Sequence, residues 1–169
     1  NDFKTEILKL KESGAQAIYV AATTGKDAGI IVKQLKEMNY SGIISGSTVF
    51  MGKEFIDGTG NSAEGVFSAV SDANYENPVV KNFSEKYKQE FGKEPGVFAA
   101  AANGFDAVML LNKGINKCNG IETMCIKDFL YSIKNYDGAG GLTTIDEQGD
   151  AIKQVKIITF KNGKFEDVK

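Results

Sequence analysis

Two pairs of hydroxyl side chains follow two short apolar runs near the start of the chain. Thr23 and Thr24 come directly after AIYVAA at 17–22, and Ser47 and Thr48 come directly after IISG. If both runs are parallel strands, their carboxyl ends meet at one edge of a sheet, where open α/β folds bind ligands. Hydroxyl groups both donate and accept hydrogen bonds. The spacing therefore predicts a wall of a site for a small polar ligand.

The first pair also has a purely structural interpretation. Thr24 precedes an amphipathic pattern over 25–38, and Asp27 stands three residues later, as the acidic residue of a capping box does. In that case Thr24 satisfies free N–H groups at the start of a helix and holds no ligand. The residues alone leave both interpretations open.

Three segments resemble site motifs but lack part of each pattern. TTGKD at 23–27 has Val20 where a phosphate-binding loop needs its first glycine, and Asp27 where it needs Ser or Thr. GTGNSA at 58–63 has dinucleotide-fingerprint spacing but does not follow a predicted strand. DEQGD at 146–150 offers too few oxygen ligands for a calcium loop, and we predict a turn there. We therefore expect no cofactor and no metal.

The composition excludes several classes of site. There is no His, which removes Ser-His-Asp triads, Cys-His pairs and His-ligated zinc. The basic residues are all Lys, and a net charge of -2 gives no basic surface for nucleic acid. Tyr, Lys, Asp and Cys remain, but no constellation joins them. We therefore predict a protein that is not an enzyme.

Alternating apolar runs and amphipathic patterns predict an α/β fold, an open parallel sheet with helices on both faces. The runs at 17–22, 42–46 and 65–70 are the predicted strands, and the first reads as covered on both faces. The pattern then changes, because residues 78–134 are almost entirely helical and have no sheet of their own. Such a block covers a sheet from elsewhere or belongs to something larger.

Local signals place the later elements. Asn77 and Pro78 are typical of a helix start, and Gly92 of its end. The stretch 96–114 is apolar nearly all round, which predicts a buried helix. Asn162-Gly163 predicts a tight turn between two strands.

The order of these segments resembles the second lobe of type I periplasmic binding proteins, in the Leu/Ile/Val-binding branch that serves ABC importers. The resemblance is carried by DFKTEILKLKESGAQAIYVAATTGKDAGIIVKQLKEMNYSGIISGS, then by GNSAEGVFSAV, NFSEKYKQEFGKEPGVFAAAANGFDAVMLL, YDGAGGLTTIDEQGD and VKIITFKNGKF. It covers nearly the whole chain in the same order.

The resemblance implies an incomplete two-lobe clamp that binds a branched-chain amino acid or similar small polar solute and docks on a membrane permease. Residues 1–71 plus 152–169 would form lobe two, and 78–145 would be lobe-one helices. The N-terminal half would be missing, so the exposed lobe-one helices would meet that missing portion or self-associate. A ligand-sensing domain of a receptor or regulator on the same fold is the alternative.

The same resemblance implies a periplasmic or extracellular location, with or without a lipid anchor, for a protein made as a signal-peptide-bearing precursor. No signal peptide is visible, and the chain begins with a helix-like pattern, as a mature fragment would. No stretch reaches the roughly 18 apolar residues of a membrane span.

Candidate ligand-binding residues also follow from the resemblance. The family's second lobe usually places an aromatic residue after the first strand and an acid, which pairs with the ligand ammonium, after the second. The matching positions are Thr24 and Thr48, so the usual acidic anchor is replaced by a neutral side chain. Phe98 matches an apolar contact from a lobe-one helix, or it is a core residue. The ligand-binding residues expected are Thr23, Thr24, Ser47, Thr48 and Phe98.

Cys118 and Cys125 lie close together in CNGIETMC. From the residues alone, a small disulfide loop and two free thiols are both open. The resemblance to an extracytoplasmic family favours the disulfide.

Overall fold

Residues 1–73 and 76–168, the part that the computed structural model describes, fall into two units. Unit 1 comprises Asn1–Val70 and Lys156–Lys169, and unit 2 comprises Ser71–Val155. The chain therefore passes from unit 1 to unit 2 and later returns. No helix within the described ranges is both long and apolar enough to cross a membrane. The predicted assignment of segments to lobe two and lobe one stays a prediction.

Helices and strands alternate through the first part of the chain. In chain order the elements are α1 (Lys4–Glu12), β1 (Ala17–Val20), α2 (Gly25–Glu37), β2 (Ile43–Gly46), α3 (Lys53–Thr59), β3 (Phe67–Ser71), α4 (Pro78–Phe91), α5 (Phe98–Cys118), α6 (Thr123–Tyr131), β4 (Tyr136–Gly138), β5 (Gly141–Ile145), β6 (Ala151–Lys153), β7 (Val155–Lys161) and β8 (Lys164–Asp167). Short 3-10 helices lie at Thr48–Met51 and Gly60–Ala63.

Unit 1 is built on a five-stranded sheet in the order β1-β2-β3-β7-β8. Strands β1, β2 and β3 run parallel, and β7 and β8 form an antiparallel hairpin. The turn of that hairpin is Asn162-Gly163, both with positive φ, as the sequence predicts. The prediction of an α/β fold with a parallel sheet is confirmed.

One face of the parallel strands carries the core of unit 1. Ile18, Val20 and Ile44 are buried there together with residues of α2 and α3. The opposite face carries Tyr19, which is 63% exposed, and Ile43, which is 56% exposed. Among the described residues, this part of the sheet is thus covered on one face only. An apolar run indicates that a strand is suited to burial on both faces, but it does not say what covers each face.

The tight packing at the end of β2 depends on glycine. A Cβ at Gly46 would lie 2.2 Å from the ring of Phe50, so no larger residue fits without moving that ring. Phe50 in turn stacks on Phe55 of α3, with ring centroids 4.2 Å apart. This contact holds the turn after β2, which contains Ser47 and Thr48, against the core.

Unit 2 combines helices α4, α5 and α6 with an antiparallel sheet in the order β4-β5-β6. Its core includes Phe83, Ala102 and Ala139. Helix α4 begins as predicted, because the Asn77 side chain accepts a hydrogen bond of 2.8 Å from Val79 N–H. Gly92 ends that helix with a positive φ.

Helix α5 differs from the prediction of a helix buried all round. Val108 is 64% exposed, and Phe105, Leu111 and Ile115 on the same side are also exposed. Their spacing of three or four residues makes them one apolar stripe along the helix. The stripe is an exposed apolar face of unit 2.

The acidic segment DEQGD forms the predicted turn between β5 and β6. The Asp146 carboxylate accepts hydrogen bonds from the backbone N–H groups of Gln148 and Asp150, at 2.9 and 2.8 Å. Throughout residues 1–73 and 76–168, His, Cys, Asp and Glu form no group of three or more that could hold a metal ion.

Candidate ligand-binding site

The register of the parallel sheet brings the two predicted hydroxyl pairs to one edge. Val20 and Gly46 are paired, and they are the last residues of β1 and β2. Neighbouring strands lie about 4.8 Å apart. The segments that carry Thr23-Thr24 and Ser47-Thr48 therefore leave the sheet side by side, at its carboxyl edge.

Thr24 is the N-cap of helix α2. Its hydroxyl accepts a hydrogen bond from Asp27 N–H at 3.1 Å and donates one to the Asp27 carboxylate at 2.9 Å. The Asn1 side chain donates to the other carboxylate oxygen at 2.7 Å. The hydrogen bond from Thr24, and next that from Asn1, hold the pKa of the Asp27 carboxyl below its usual range. The Thr24 proton is therefore committed to the cap, as in the structural interpretation of this residue.

The other three hydroxyls are uncommitted. Thr23, Ser47 and Thr48 make no side-chain hydrogen bond to any residue within the described ranges. Thr23 is exposed, whereas Ser47 and Thr48 are half-buried. Each hydroxyl can offer one donor and two acceptor positions to a bound molecule.

Ser68 positions Ser47, a role that was not predicted from the sequence. It lies in β3, is buried, and donates from its hydroxyl to the Ser47 carbonyl at 3.1 Å. The same carbonyl accepts from Phe50 N–H at 3.1 Å. The backbone after β2 is thus held from two sides, while the Ser47 hydroxyl stays available. The signal in the sequence is a lone hydroxyl inside the apolar strand GVFSAV.

The charged groups close to Thr24 belong to the surface of α2 and α3. A depression beside Thr24 is lined by Lys26, Asp27, Glu54 and Asp57. Asp57 pairs with Lys53 at 2.6 Å one turn earlier in α3, in an exposed ion pair of little energetic weight. The four residues at the strand ends carry no charge.

Phe98 lies in unit 2, at the first position of α5. Its ring meets the ring of Phe83 edge-on, with centroids 5.7 Å apart, and the side chain is half-buried. This contact is the core packing that was the alternative to a ligand contact. A role of Phe98 in ligand binding stays a prediction.

A disulfide joins Cys118, at the end of α5, to Cys125 in the first turn of α6. Glu122 caps α6 within the loop, because its carboxylate accepts from Cys125 N–H at 2.6 Å and from Met124 N–H at 3.0 Å. These two N–H groups, that of Cys125 first, lower the pKa of the Glu122 carboxyl. The loop is a structural feature of unit 2.

The chain is similar to known binding proteins along nearly its whole length. A family model described as "Periplasmic binding protein" matches residues 1–164. A leucine binding protein from Thermotoga maritima is 30% identical, with a TM-score of 0.81. A branched-chain amino acid transporter substrate binding protein from Streptococcus pneumoniae, solved in complex with isoleucine, is 27% identical, with a TM-score of 0.73. No curated protein sequence matches significantly.

The similarity covers nearly all of this chain but only about half of each solved protein. Each of these two structures matches 99% of the present chain, which corresponds to 48% of the length of the solved protein. A putative branched-chain amino acid ABC transporter protein from Rhodospirillum rubrum gives the same coverage at 27% identity, with a TM-score of 0.73. The chain thus spans about half the length of the solved structures it resembles.

Proposed function

Because this chain belongs to the periplasmic binding protein family, whose members bind ligands without catalysing a reaction, we propose that it is part of a solute-binding protein of an ABC importer. The proposed solute is a branched-chain amino acid or a similar small polar molecule. The family acts outside the cytoplasm. A signal peptide on the precursor, a lipid anchor and docking on a membrane permease are further parts of the proposal.

One observation carries the proposal for unit 1. Three uncommitted hydroxyls, those of Thr23, Ser47 and Thr48, stand at the adjacent carboxyl ends of two parallel strands. This is the edge at which open α/β sheets bind ligands. We propose that these hydroxyls form hydrogen bonds with the solute. The Thr24 hydroxyl gives its proton to the Asp27 carboxylate, so it can only accept a hydrogen bond from the solute.

The rest of the site is proposed to come from the part of the fold that this chain does not span. In this proposal residues 1–71 and 152–169 are lobe two, and 78–145 are lobe-one helices. The exposed stripe of α5 would then cover strands of that other part, and Phe98 would add an apolar contact to the solute. Self-association through the stripe is the alternative for a chain that lacks this part.

Isothermal titration calorimetry of the full-length protein tests the proposal. Leucine, isoleucine and valine are titrated first, followed by a panel of other amino acids and small polar solutes. Thr48→Val keeps the shape of the side chain but removes its hydroxyl, and a lost hydrogen bond of about 1 kcal/mol corresponds to roughly fivefold weaker binding. Thr23→Val is expected to act in the same direction.

Thr5→Val is the matched control, because Thr5 is an exposed residue of α1 whose side chain makes no hydrogen bond within the described ranges. The affinity of the Thr5→Val variant for the solute should equal that of the wild type. The absence of heat with every solute would refute the proposed function. Binding that is unchanged in both Thr48→Val and Thr23→Val would refute the assignment of the site to the strand ends.

A further inference from the structure

Asp106 is a buried carboxylate in the middle of α5. It is 4% exposed, and its two oxygens accept hydrogen bonds from Ala139 N–H at 2.8 Å and Gly140 N–H at 2.7 Å. No lysine of the described residues forms an ion pair with it. A buried charge is costly unless hydrogen bonds compensate for it. Here the compensation comes from a backbone turn 33 residues further along the chain.

That turn, residues 138–141, fits α5 without room for side chains. A Cβ at Gly138 would lie 2.3 Å from a carboxylate oxygen of Asp106. A Cβ at Gly140 would lie 2.2 Å from Oδ1 of Asn103, an atom that is buried and lacks a hydrogen-bond partner among the described residues. The turn is thus packed directly against the helix.

The chain enters unit 2 at Ser71 and leaves it at Val155, and residues next to both points contact this same turn. We call these two stretches the outgoing passage and the return passage. On the return passage, the Lys153 ammonium donates to the Gly140 carbonyl at 3.1 Å. On the outgoing passage, the Asp72 carbonyl lies close to Gly141, 3.2 Å from where a Cβ would stand. Asp72 N–H donates to the Gln154 carbonyl at 2.9 Å, which joins the two passages to each other.

We infer that Asp106 is a positioning residue that anchors both passages to α5 through the turn at 138–141. Hinge closure in two-lobed proteins occurs at a few residues of the connecting segments. If the turn is fixed to a long helix, such bending is confined to those residues of the connecting segments that the turn does not hold. This inference rests on the proposed function, because a hinge has a purpose only if the protein closes on a solute.

Asp106→Asn in the full-length protein tests the inference. The variant keeps the size of the side chain but removes the charge, and its NH2 group must face one of the two N–H donors. Asp128→Asn on α6 is the matched control, because Asp128 is exposed and its side chain makes no hydrogen bond within the described ranges. To measure the distance between the units, a residue with a click-reactive side chain replaces Glu37 in unit 1 and another replaces Lys127 in unit 2, and each is labelled with a fluorophore. Both positions are exposed.

Three measurements separate an anchor from a local contact. We expect Asp106→Asn to speed amide exchange in the peptide that contains 138–141 and to broaden the fluorophore distance distribution without ligand. Leucine binding should weaken by about 3- to 10-fold, within the usual range of coupling effects. Asp128→Asn should match the wild type in all three. Faster exchange with an unchanged distance distribution would overturn the inference, because Asp106 would then act only on the turn.

A second variant keeps the test decisive if Asp106→Asn does not fold. Lys153→Met removes the bond to the Gly140 carbonyl and should broaden the same distribution less strongly. An unchanged distribution in Lys153→Met would then overturn the inference. The distance distribution is read without ligand, so a wild type that binds no solute would refute the proposed function while this measurement still judges the anchor.

Discussion

Replacing Thr24 by Val separates the two roles that its hydroxyl could have. Valine keeps the branched shape but removes the oxygen that accepts from Asp27 N–H at 3.1 Å and the proton given to the Asp27 carboxylate at 2.9 Å. Loss of an N-cap costs about 1 kcal/mol, with a range of roughly 0.5–2 kcal/mol. We therefore expect the full-length variant to be less stable than the wild type by about that amount.

Acid conditions give the same prediction a second, independent signature. The pKa of Asp27 is lowered in the folded state, chiefly by the bond from Thr24. Such a carboxylate stabilises the fold above its unfolded pKa, and this contribution is lost as the pH falls through the folded pKa. The difference in stability between wild type and Thr24→Val should therefore shrink between about pH 5 and the acid limit of folding.

Urea denaturation at several pH values, with amide exchange at the start of α2, measures both effects. Thr24→Ser is the control, because serine caps a helix as well as threonine does and should restore wild-type stability. Solute affinity is measured in parallel by calorimetry. Thr24→Val with unchanged stability and unchanged exchange would refute the capping role. Greatly weakened binding at unchanged stability would instead make the hydroxyl a ligand contact.

Two further predictions concern unit 2. Replacing both Cys118 and Cys125 by Ser should lower the free energy of unfolding by about 2 kcal/mol, as loop-closure entropy gives for so short a loop; urea denaturation that finds no loss would contradict this. Burial lowers the pKa of Lys153, and the charge of Asp106 opposes this only in part. The unfolded state then holds the proton more tightly, so wild-type stability should rise relative to Lys153→Met as the pH increases towards 10.5. Denaturation at pH 8 and pH 10 checks it, and a difference that falls with pH would contradict it.

Elements defined by local chemistry could be predicted from the sequence. Asn77 followed by Pro78 begins α4, Gly92 ends it, and Asn162-Gly163 turns the chain between β7 and β8. Each signal depends on the conformation of one or two residues, so it needs no knowledge of the rest of the fold. The adjacent strand ends were predicted from a rule of topology instead, because parallel strands share one carboxyl edge.

Contacts between distant segments could not be predicted in this way. Asp106 and Gly140 are far apart in sequence, and no periodicity relates them. The signals present were a lone carboxylate within the apolar helix segment NGFDAVMLL and a Gly-x-Gly in the later turn. Both signals are common in helices and turns that never meet, and only the fold shows that this carboxylate fits this turn. The exposure of Val108 was not predicted for a related reason, because the hydrophobicity of a helix does not reveal whether its covering partner belongs to the same chain.

The chemistry of the strand ends limits how the whole protein could hold an amino acid. Thr23, Ser47 and Thr48 offer neutral hydrogen bonds, and the Thr24 proton is already used by its cap. A buried ammonium needs a compensating charge, because desolvation costs several kcal/mol that hydroxyls alone do not return. If the solute is an amino acid, its ammonium must therefore find a carboxylate outside these four residues. A solute that presents a neutral polar group to this edge needs no such partner, so the calorimetric panel should include amides and polyols beside the amino acids.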